Sequence, residues 1–112
     1  MTHTIGQRFG SRVGLRPEKR EEYLALHREV WPDVLAKLTE VGIRNYTIFL
    51  QGDELFGYYE FVGDDHAAAQ AALAADPRTQ EWWRLTDPCQ QRLPGTPEGA
   101  QWQELTEVFH LD

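Results

Sequence analysis

The sequence predicts a single α+β domain over residues 1–112, with the ferredoxin-like element order β-α-β-β-α-β. A chain of 112 residues is long enough for one hydrophobic core and too short for two. Hydrophobic residues make up 41% and charged residues 26%, a balance typical of globular domains. Segments with strand-like or helix-like spacing of apolar residues follow one another in the ferredoxin-like order, in which two helices cover one face of the sheet. The other face then needs a cover, for which a second subunit is the candidate.

The first strand is predicted within residues 6–14, and the first helix begins at Pro17 and ends at Gly42. Plotted at about 100° per residue, the apolar and aromatic residues of the segment 20–41 share an arc of roughly 100°. His27 falls inside this arc and is therefore predicted to point inward. Pro32 lacks the amide hydrogen that a helix needs, so the helix should kink or restart there. The arc contains Tyr23, His27, Val30, Trp31, Val34, Leu38 and Val41.

The middle of the chain predicts a hairpin, in which RNYTIFL and LFGYYEFV flank the turn QGDE at residues 51–54. Both faces of the second hairpin strand are apolar or aromatic, so both should be covered. The stretch DDHAAAQAALAAD at 64–76 predicts a helix capped by Asp64 or Asp65, and Pro77 ends it or begins another. Residues 86–99 read as a loop rich in proline and glycine, and QELTEVFHL at 103–111 alternates like a last strand.

Charge and composition exclude several classes of function. The net charge of −7 makes nucleic acid and anionic membrane surfaces poor partners, but it does not exclude neutral ligands. Cys89 has no second cysteine with which to form an internal disulfide. The first residues contain no apolar run typical of a signal peptide, and no stretch approaches the roughly 18 apolar residues of a membrane span. We therefore expect a cytoplasmic protein.

Aromatic residues and one histidine are the candidate site residues. Tyr23, His27 and Trp31 lie four residues apart on one helix face, where they either pack the core or line a pocket in which protons move. A histidine suits proton transfer because its ordinary pKa of about 6.5 lies near neutral pH. Trp82 and Trp83 cannot both point into one core, so one of them should reach a pocket rim, an interface or solvent. An indole face also matches the apolar face of a sugar ring. Tyr46 and Tyr58 could either pack the sheet or bond a polyol.

Other chemistries have little support in the sequence. The histidines show no HxH or HxxxH spacing, so metal binding is not expected. Asp64, Asp65 and His66 resemble a helix cap rather than a site. There is no glycine-rich phosphate loop and no GxSxG motif, and Cys89 has no evident partner base. Glu60 and Glu107 are conceivable carboxylate partners for His27.

Four motifs taken in order resemble the L-rhamnose mutarotase family: EEYxxxHxxxWP at 21–32, NY at 45–46, WW at 82–83 and EVFHL at 107–111. The resemblance implies a dimeric α+β barrel that interconverts the anomers of L-rhamnose without metal or cofactor. It also implies that His27 is the catalytic proton donor and that four residues contact the sugar. The stretch 84–99 and His110 depart from the family pattern, which leaves the choice of sugar open. The implied sugar contacts are Tyr23, Tyr46, Trp82 and Trp83.

Three readings of function therefore stand together at this point. The first is an aldose 1-epimerase for a 6-deoxyhexose monosaccharide, with L-rhamnose ahead of L-fucose or a relative. The second is a cofactor-free α+β barrel monooxygenase, for which a pocket of aromatic rings and a histidine would also serve. The third is a dimeric binding module without catalysis. A sugar site should differ from the others in showing several polar groups around a stacked ring.

Overall fold

A computed structural model describes residues 6–112 and gives the predicted element order, with each predicted helical segment divided into two helices. The α+β fold class is thus confirmed. Short 3-10 turns at Pro17–Lys19 and Asp87–Cys89 precede the first helix and the fourth strand. The elements are β1 (Gln7–Leu15), α1 (Arg20–Arg28), α2 (Pro32–Val41), β2 (Ile43–Gln51), β3 (Glu54–Phe61), α3 (His66–Ala75), α4 (Pro77–Thr86), β4 (Gln90–Gln91) and β5 (Gln103–Leu105).

The sheet is antiparallel, with the strand order β2-β3-β1-β4, and β5 also pairs with β1. One edge of β1 is shared, since Gly14 and Leu15 pair with β4 whereas the segment 10–12 pairs with β5. With β1 and β3 at the centre, this is the ferredoxin-like order. The register places Phe9 opposite Tyr59 on one strand pair, so both side chains share a face.

The core lies on the face of the sheet that the helices cover. Two clusters of buried side chains fill it, one near the hairpin turn and one near the start of α3. As predicted, Tyr23 from α1 belongs to the first cluster, with 2% of its surface exposed. The first cluster is Val13, Leu15, Tyr23, Leu55 and Cys89, and the second is Ile43, Phe61 and Ala69.

Prolines divide both helical segments. The helix α1 ends at Arg28 and α2 begins at Pro32, which confirms the predicted restart. Gly42 ends α2 with a φ of 108°, a left-handed conformation that favours glycine. Pro77 likewise begins α4, and the carboxylate of Asp76 accepts from the Thr79 amide there. Asp65, rather than Asp64, caps α3.

The last predicted strand is shorter than expected. A strand was predicted over residues 103–111, but β5 ends at Leu105 and the described residues 106–112, the C-terminal arm, form no strand. Alternation shows which side chains share a face, but it does not show how long a ladder is: the pairing with β1 stops at Gly10 and Leu105, although β1 itself continues to Gln7. Val108, Phe109 and Leu111 are 91%, 79% and 78% exposed. A second departure is β4, a two-residue strand inside the predicted loop.

No helix within residues 6–112 is long and apolar enough to cross a membrane.

Candidate functional site

A half-open cavity of about 560 Å³ lies between the helix-covered face of the sheet and the helices. All of the residues singled out from the sequence as the catalytic group and sugar contacts line it: Tyr23, His27, Tyr46, Trp82 and Trp83. The helical periodicity that aimed Tyr23 and His27 inward therefore brings both to the cavity wall, where Tyr23 is also part of the first core cluster. The size is within the range of small-molecule sites.

His27 is held in one orientation by a hydrogen bond within α1. Its Nδ1 lies 2.9 Å from the carbonyl oxygen of Tyr23, one helical turn earlier. Because a carbonyl oxygen can only accept, Nδ1 carries the hydrogen and donates it. The Tyr23 ring lies on one side of the imidazole, with centroids 4.2 Å apart, and the Trp82 ring meets the imidazole at an angle of 67°, with centroids 5.4 Å apart. The other nitrogen, Nε2, is consequently the atom that can exchange a proton with a ligand.

A chain of two side-chain amides, of which Gln90 is buried and Gln101 is half-buried, reaches the hydroxyl of Tyr23. Gln90 donates from Nε2 to this hydroxyl at 3.3 Å, and Gln101 donates to Oε1 of Gln90 at 3.1 Å. Burial raises the pKa of Tyr23, so its hydroxyl stays protonated and can donate to a ligand. Both glutamines line the cavity, and Gln90 is 5% exposed. They lie in or beside the stretch predicted as a loop, where no sequence signal distinguishes a buried glutamine from a solvated one.

Tyr46 reaches the cavity because of a β-bulge. The pairing of β2 with β3 shifts between Arg44 and Thr47, so that Asn45 and Tyr46 together oppose one residue of β3. Asn45 has a φ of 50°, and asparagine tolerates this left-handed conformation better than most residues. Counted from the buried Ile43, strict alternation would place Tyr46 on the opposite face, and the extra residue lets Ile43 and Tyr46 share the inner one. Tyr46 is 45% exposed overall, but burial raises the pKa of its hydroxyl, which indicates that this end is the enclosed one.

Glu60 does not pair with His27, contrary to the sequence interpretation. It points to the face of the sheet opposite the helices, where Asn45 and the Tyr58 hydroxyl each donate to its carboxylate at 2.7 Å. These bonds lower the pKa of Glu60, which is 8% exposed. Tyr58 consequently lies outside the cavity, unlike Tyr46. Glu107 is also removed from His27, because it forms a salt bridge with Arg8 at 3.1 Å.

The two adjacent tryptophans diverge, as their helical spacing predicted. Trp82 is 6% exposed and packs edge-on against both His27 and Trp31, whereas Trp83 is 37% exposed at the cavity wall. Trp31 does not line the cavity; it packs behind Trp82, and the guanidinium of Arg78 lies 4.1 Å from its ring centroid. Trp31 is thus a packing residue, and Trp83 is the indole with a surface free to meet a ligand.

The loop after β4 closes one side of the cavity. Arg92 donates to the carbonyl oxygens of Ala100, Thr96 and Pro97, at 2.8, 3.1 and 2.8 Å, and so folds the loop around its own guanidinium. Trp102 follows this loop and packs over Gly57 of β3. A Cβ atom at Gly57 would lie 3.2 Å from the indole, so the glycine makes room for it.

A second histidine, His66, also lines the cavity, although its sequence context predicts a helix cap. His66 is the first residue of α3, and its Nε2 lies 2.7 Å from the hydroxyl oxygen of Tyr59 on β3. Because it follows two aspartates at a helix start, its sequence context resembles a cap. The register of β1 with β3 places Tyr59 beside Phe9 on the inner face, and His66 lines the cavity next to both residues.

The arrangement suits a small polar ring compound. Aromatic rings supply flat apolar surfaces, tyrosine hydroxyls and glutamine amides supply hydrogen bonds, and Nε2 of His27 can transfer a proton. Within residues 6–112, no three histidine, cysteine, aspartate or glutamate side chains form a group that could hold a metal ion.

The fold and the cavity together define a small ferredoxin-like α+β protein with a small-molecule site between its sheet and its helices. The family model for L-rhamnose mutarotase matches residues 8–111, and the chain belongs to the L-rhamnose mutarotase family. An L-rhamnose mutarotase from Oceanobacillus iheyensis is 33% identical over 108 residues, which cover 95% of this chain and 99% of the relative. An L-fucose mutarotase from Xanthomonas campestris pv. campestris is 42% identical over 94 residues, which cover 80% of this chain and 74% of the relative.

Two solved structures share the fold. An L-rhamnose mutarotase from Formosa agariphila superposes with a TM-score of 0.74 at 24% identity, covering 96% of this chain and all of that one. Tetracenomycin F2 cyclase from Streptomyces glaucescens, a type-II polyketide cyclase, gives a TM-score of 0.67 at 18% identity with the same 96% coverage of this chain. At these identities the likeness bears on the fold, and the two names show that one fold carries different chemistries.

We expect the left-handed conformation of Asn45 to be detectable as a difference between two substitutions. Asn45→Ala and Asn45→Gly both remove the amide that bonds Glu60, but glycine keeps access to the positive φ. The alanine variant should therefore be less stable than the glycine variant, by about 1 kcal/mol. Urea unfolding followed by tryptophan fluorescence measures this difference. An alanine variant as stable as the glycine variant would contradict the bulge.

Proposed function

We propose that this protein is an aldose 1-epimerase that interconverts the α and β anomers of a 6-deoxyhexose, with L-rhamnose as the first candidate and L-fucose as the second. The observation that carries the proposal is the convergence of a presented imidazole, tyrosine hydroxyls and indole rings on one cavity, in a chain of the L-rhamnose mutarotase family. The similarity to a relative named L-fucose mutarotase keeps the second sugar in the proposal.

Mutarotation needs one proton to arrive and another to leave. When the ring opens, the bond between C1 and the ring oxygen breaks, the ring oxygen takes a proton, and the anomeric hydroxyl loses one to become the carbonyl. We assign the first proton to the imidazolium form of His27, which releases it from Nε2 and keeps the hydrogen on Nδ1 that bonds the carbonyl of Tyr23. After rotation about C1–C2, the ring closes on the other face of C1, and both protons return, so the enzyme is regenerated without a cofactor.

Asp87 is the carboxylate suited to accept the proton of the anomeric hydroxyl. It lines the cavity, and its backbone oxygen accepts from Gln101 at 3.4 Å, in the same amide chain that reaches the hydroxyl of Tyr23. Burial raises the pKa of Asp87, and a carboxylate with a raised pKa is a stronger base. In this proposal, Asp87 takes the anomeric proton directly or through one water.

The remaining residues would hold the ring while it opens. Trp83 offers an indole face for the apolar side of the sugar, and the hydroxyls of Tyr23 and Tyr46 can bond its hydroxyl groups. Trp82 has a different part, because it packs against His27 and fixes the imidazole. The amides of the buried Gln90 and the half-buried Gln101 favour a polyhydroxylated ligand over the flat apolar substrate that a monooxygenase of this fold would take.

A homodimer in the cytoplasm would complete this proposal. The outer face of the sheet carries Phe49 and Leu105, which are 62% and 42% exposed in the single chain, and the C-terminal arm adds further exposed apolar side chains. Apolar surface of this kind is typically covered by a partner, and two sheets packed face to face would cover it. The residues that form this outer face and the arm are separate from those that line the cavity.

Replacement of His27 tests its role in proton transfer. We expect His27→Ala to lower kcat for anomer exchange by about 10²- to 10⁴-fold while leaving the protein folded. Saturation-transfer NMR on L-rhamnose and on L-fucose measures the rate. His110→Ala, in the exposed arm, is the matched control and should keep the rate. A His27→Ala variant that exchanges anomers as fast as the unaltered protein would remove His27 from the mechanism.

The two tryptophans should affect different kinetic constants. Trp83→Ala removes the stacking surface, so KM should rise about two- to tenfold, since stacking on an aromatic ring contributes about 0.5–1.5 kcal/mol beyond burial. Trp82→Ala removes the support of the imidazole, so kcat should fall more than KM rises. The same NMR exchange assay over a range of sugar concentrations separates the constants. Identical changes in both variants would argue against distinct parts.

The proposed dimer predicts the effect of a charge on the outer sheet face. Phe49→Arg should convert a dimer into a monomer, because it places a charge where two apolar faces would meet. Leu35→Arg is the control, since Leu35 is 50% exposed but lies on α2, away from this face. Light scattering after size-exclusion chromatography gives the masses. A monomeric unaltered protein, or a Phe49→Arg dimer, would refute this interface.

A further inference from the structure

We propose that Tyr59 and His66 form a second ligand-binding pair, which binds a ring hydroxyl remote from the anomeric carbon and selects among 6-deoxyhexoses. Both side chains line the cavity, and the hydroxyl oxygen of Tyr59 lies 2.7 Å from Nε2 of His66. None of the sequence motifs includes either residue. The inference rests on the proposed function, because it concerns which sugar the same cavity accepts.

The pair is held rigidly by two elements. The His66 ring stacks on Phe9 of β1 at a centroid distance of 4.0 Å and an interplanar angle of 14°, and the ring of Phe61 meets it edge-on at 5.3 Å. Its backbone is fixed at the start of α3, where Asp65 accepts from the Ala68 amide at 3.0 Å. A polar pair that is already in place costs little conformational entropy when a ligand binds, which favours recognition over simple packing.

Both members of the pair are neutral near pH 7. Burial raises the pKa of Tyr59 to about 12 and lowers the pKa of His66, although the nearby charge of Glu104 acts in the opposite sense on the histidine. The tautomer of His66 sets which partner donates in this bond, and in either case the Tyr59 oxygen uses at most one lone pair for it. A lone pair of the Tyr59 oxygen therefore remains available to accept a hydrogen bond from a sugar hydroxyl.

The position of the pair separates it from the groups that handle protons. His27 lies on α1 beside Tyr23, whereas Tyr59 and His66 lie on β3 and α3 beside Phe9. Tyr46 stands between them, since its ring is 5.6 Å from that of Tyr59 and its hydroxyl also influences the pKa of Tyr23. A pyranose with its anomeric centre at His27 therefore directs its far hydroxyls toward Tyr59.

The Tyr59 oxygen is a fixed acceptor, so it discriminates between sugars that differ in configuration at the carbon whose hydroxyl it bonds. L-Rhamnose and L-fucose are both 6-deoxyhexoses, but the two sugars have opposite configurations at C2 and at C4. An acceptor placed for one configuration leaves the other hydroxyl unpaired, and unpaired buried polar groups lower affinity strongly. The pair therefore acts on binding, and it should affect KM and the preference between sugars rather than kcat.

The test compares Tyr59→Phe with the unaltered protein in anomer-exchange NMR on L-rhamnose and L-fucose. The substitution keeps the ring and removes one hydroxyl. We expect KM for the preferred sugar to rise about tenfold and the preference between the two sugars to fall by a similar factor, with kcat nearly unchanged. Tyr58→Phe is the matched control, because it removes a hydroxyl from the next residue of β3, which bonds Glu60 on the other face. His66→Phe keeps a flat ring against Phe9 and should change KM in the same direction.

The outcomes separate this inference from the proposed function. If the unaltered protein exchanges the anomers of neither sugar, the proposed function fails and the inference falls with it. If the unaltered protein is active but Tyr59→Phe keeps both its KM and its preference, only the inference is overturned. A large fall of kcat at constant KM would also overturn it, since the pair would then move protons rather than select the sugar.

Discussion

The hydrogen bond from Nδ1 of His27 to the carbonyl oxygen of Tyr23 is the constraint on which the site depends. It joins two residues one turn apart on α1, so the helix itself fixes which imidazole nitrogen carries the permanent hydrogen. Tyr23 and Trp82 hold the ring from two sides, which leaves Nε2 as the nitrogen that exchanges protons. A free imidazole in solution would interconvert between tautomers, whereas this one is prepared for a single task before any ligand arrives.

The rest of the fold builds a cavity around this imidazole. The break at Pro32 separates α1 from α2, and the cap at Asp76 begins α4, which carries both tryptophans. The bulge at Asn45 lets Ile43 and Tyr46 share the inner face of the sheet. Arg92 folds the loop that closes the side of the pocket. These are local features with local causes, and together they explain how so small a domain encloses about 560 Å³ beside its core.

Much of the site could be predicted because helical periodicity is simple. Tyr23 and His27 follow from the 3.6-residue repeat, and the divergence of Trp82 and Trp83 follows from about 100° per residue. Features that depend on pairing across the chain could not be predicted. The Asn45 bulge is a shift of register, which no single strand reveals, and His66 resembles part of a cap until β3 is placed beside it. The alternation of the last strand likewise predicts which side chains share a face, but it does not predict that the pairing with β1 ends at Leu105.

The most direct measurement of the central claim is the protonation pattern of His27 itself, read from ¹⁵N chemical shifts and two-bond ¹⁵N–¹H couplings of the histidine rings. We expect the neutral imidazole of His27 to carry its hydrogen on Nδ1, and we expect only its Nε2 signal to move substantially when L-rhamnose or L-fucose is added. A neutral ring protonated on Nε2, or a His27 whose two nitrogens ignore saturating sugar, would contradict it.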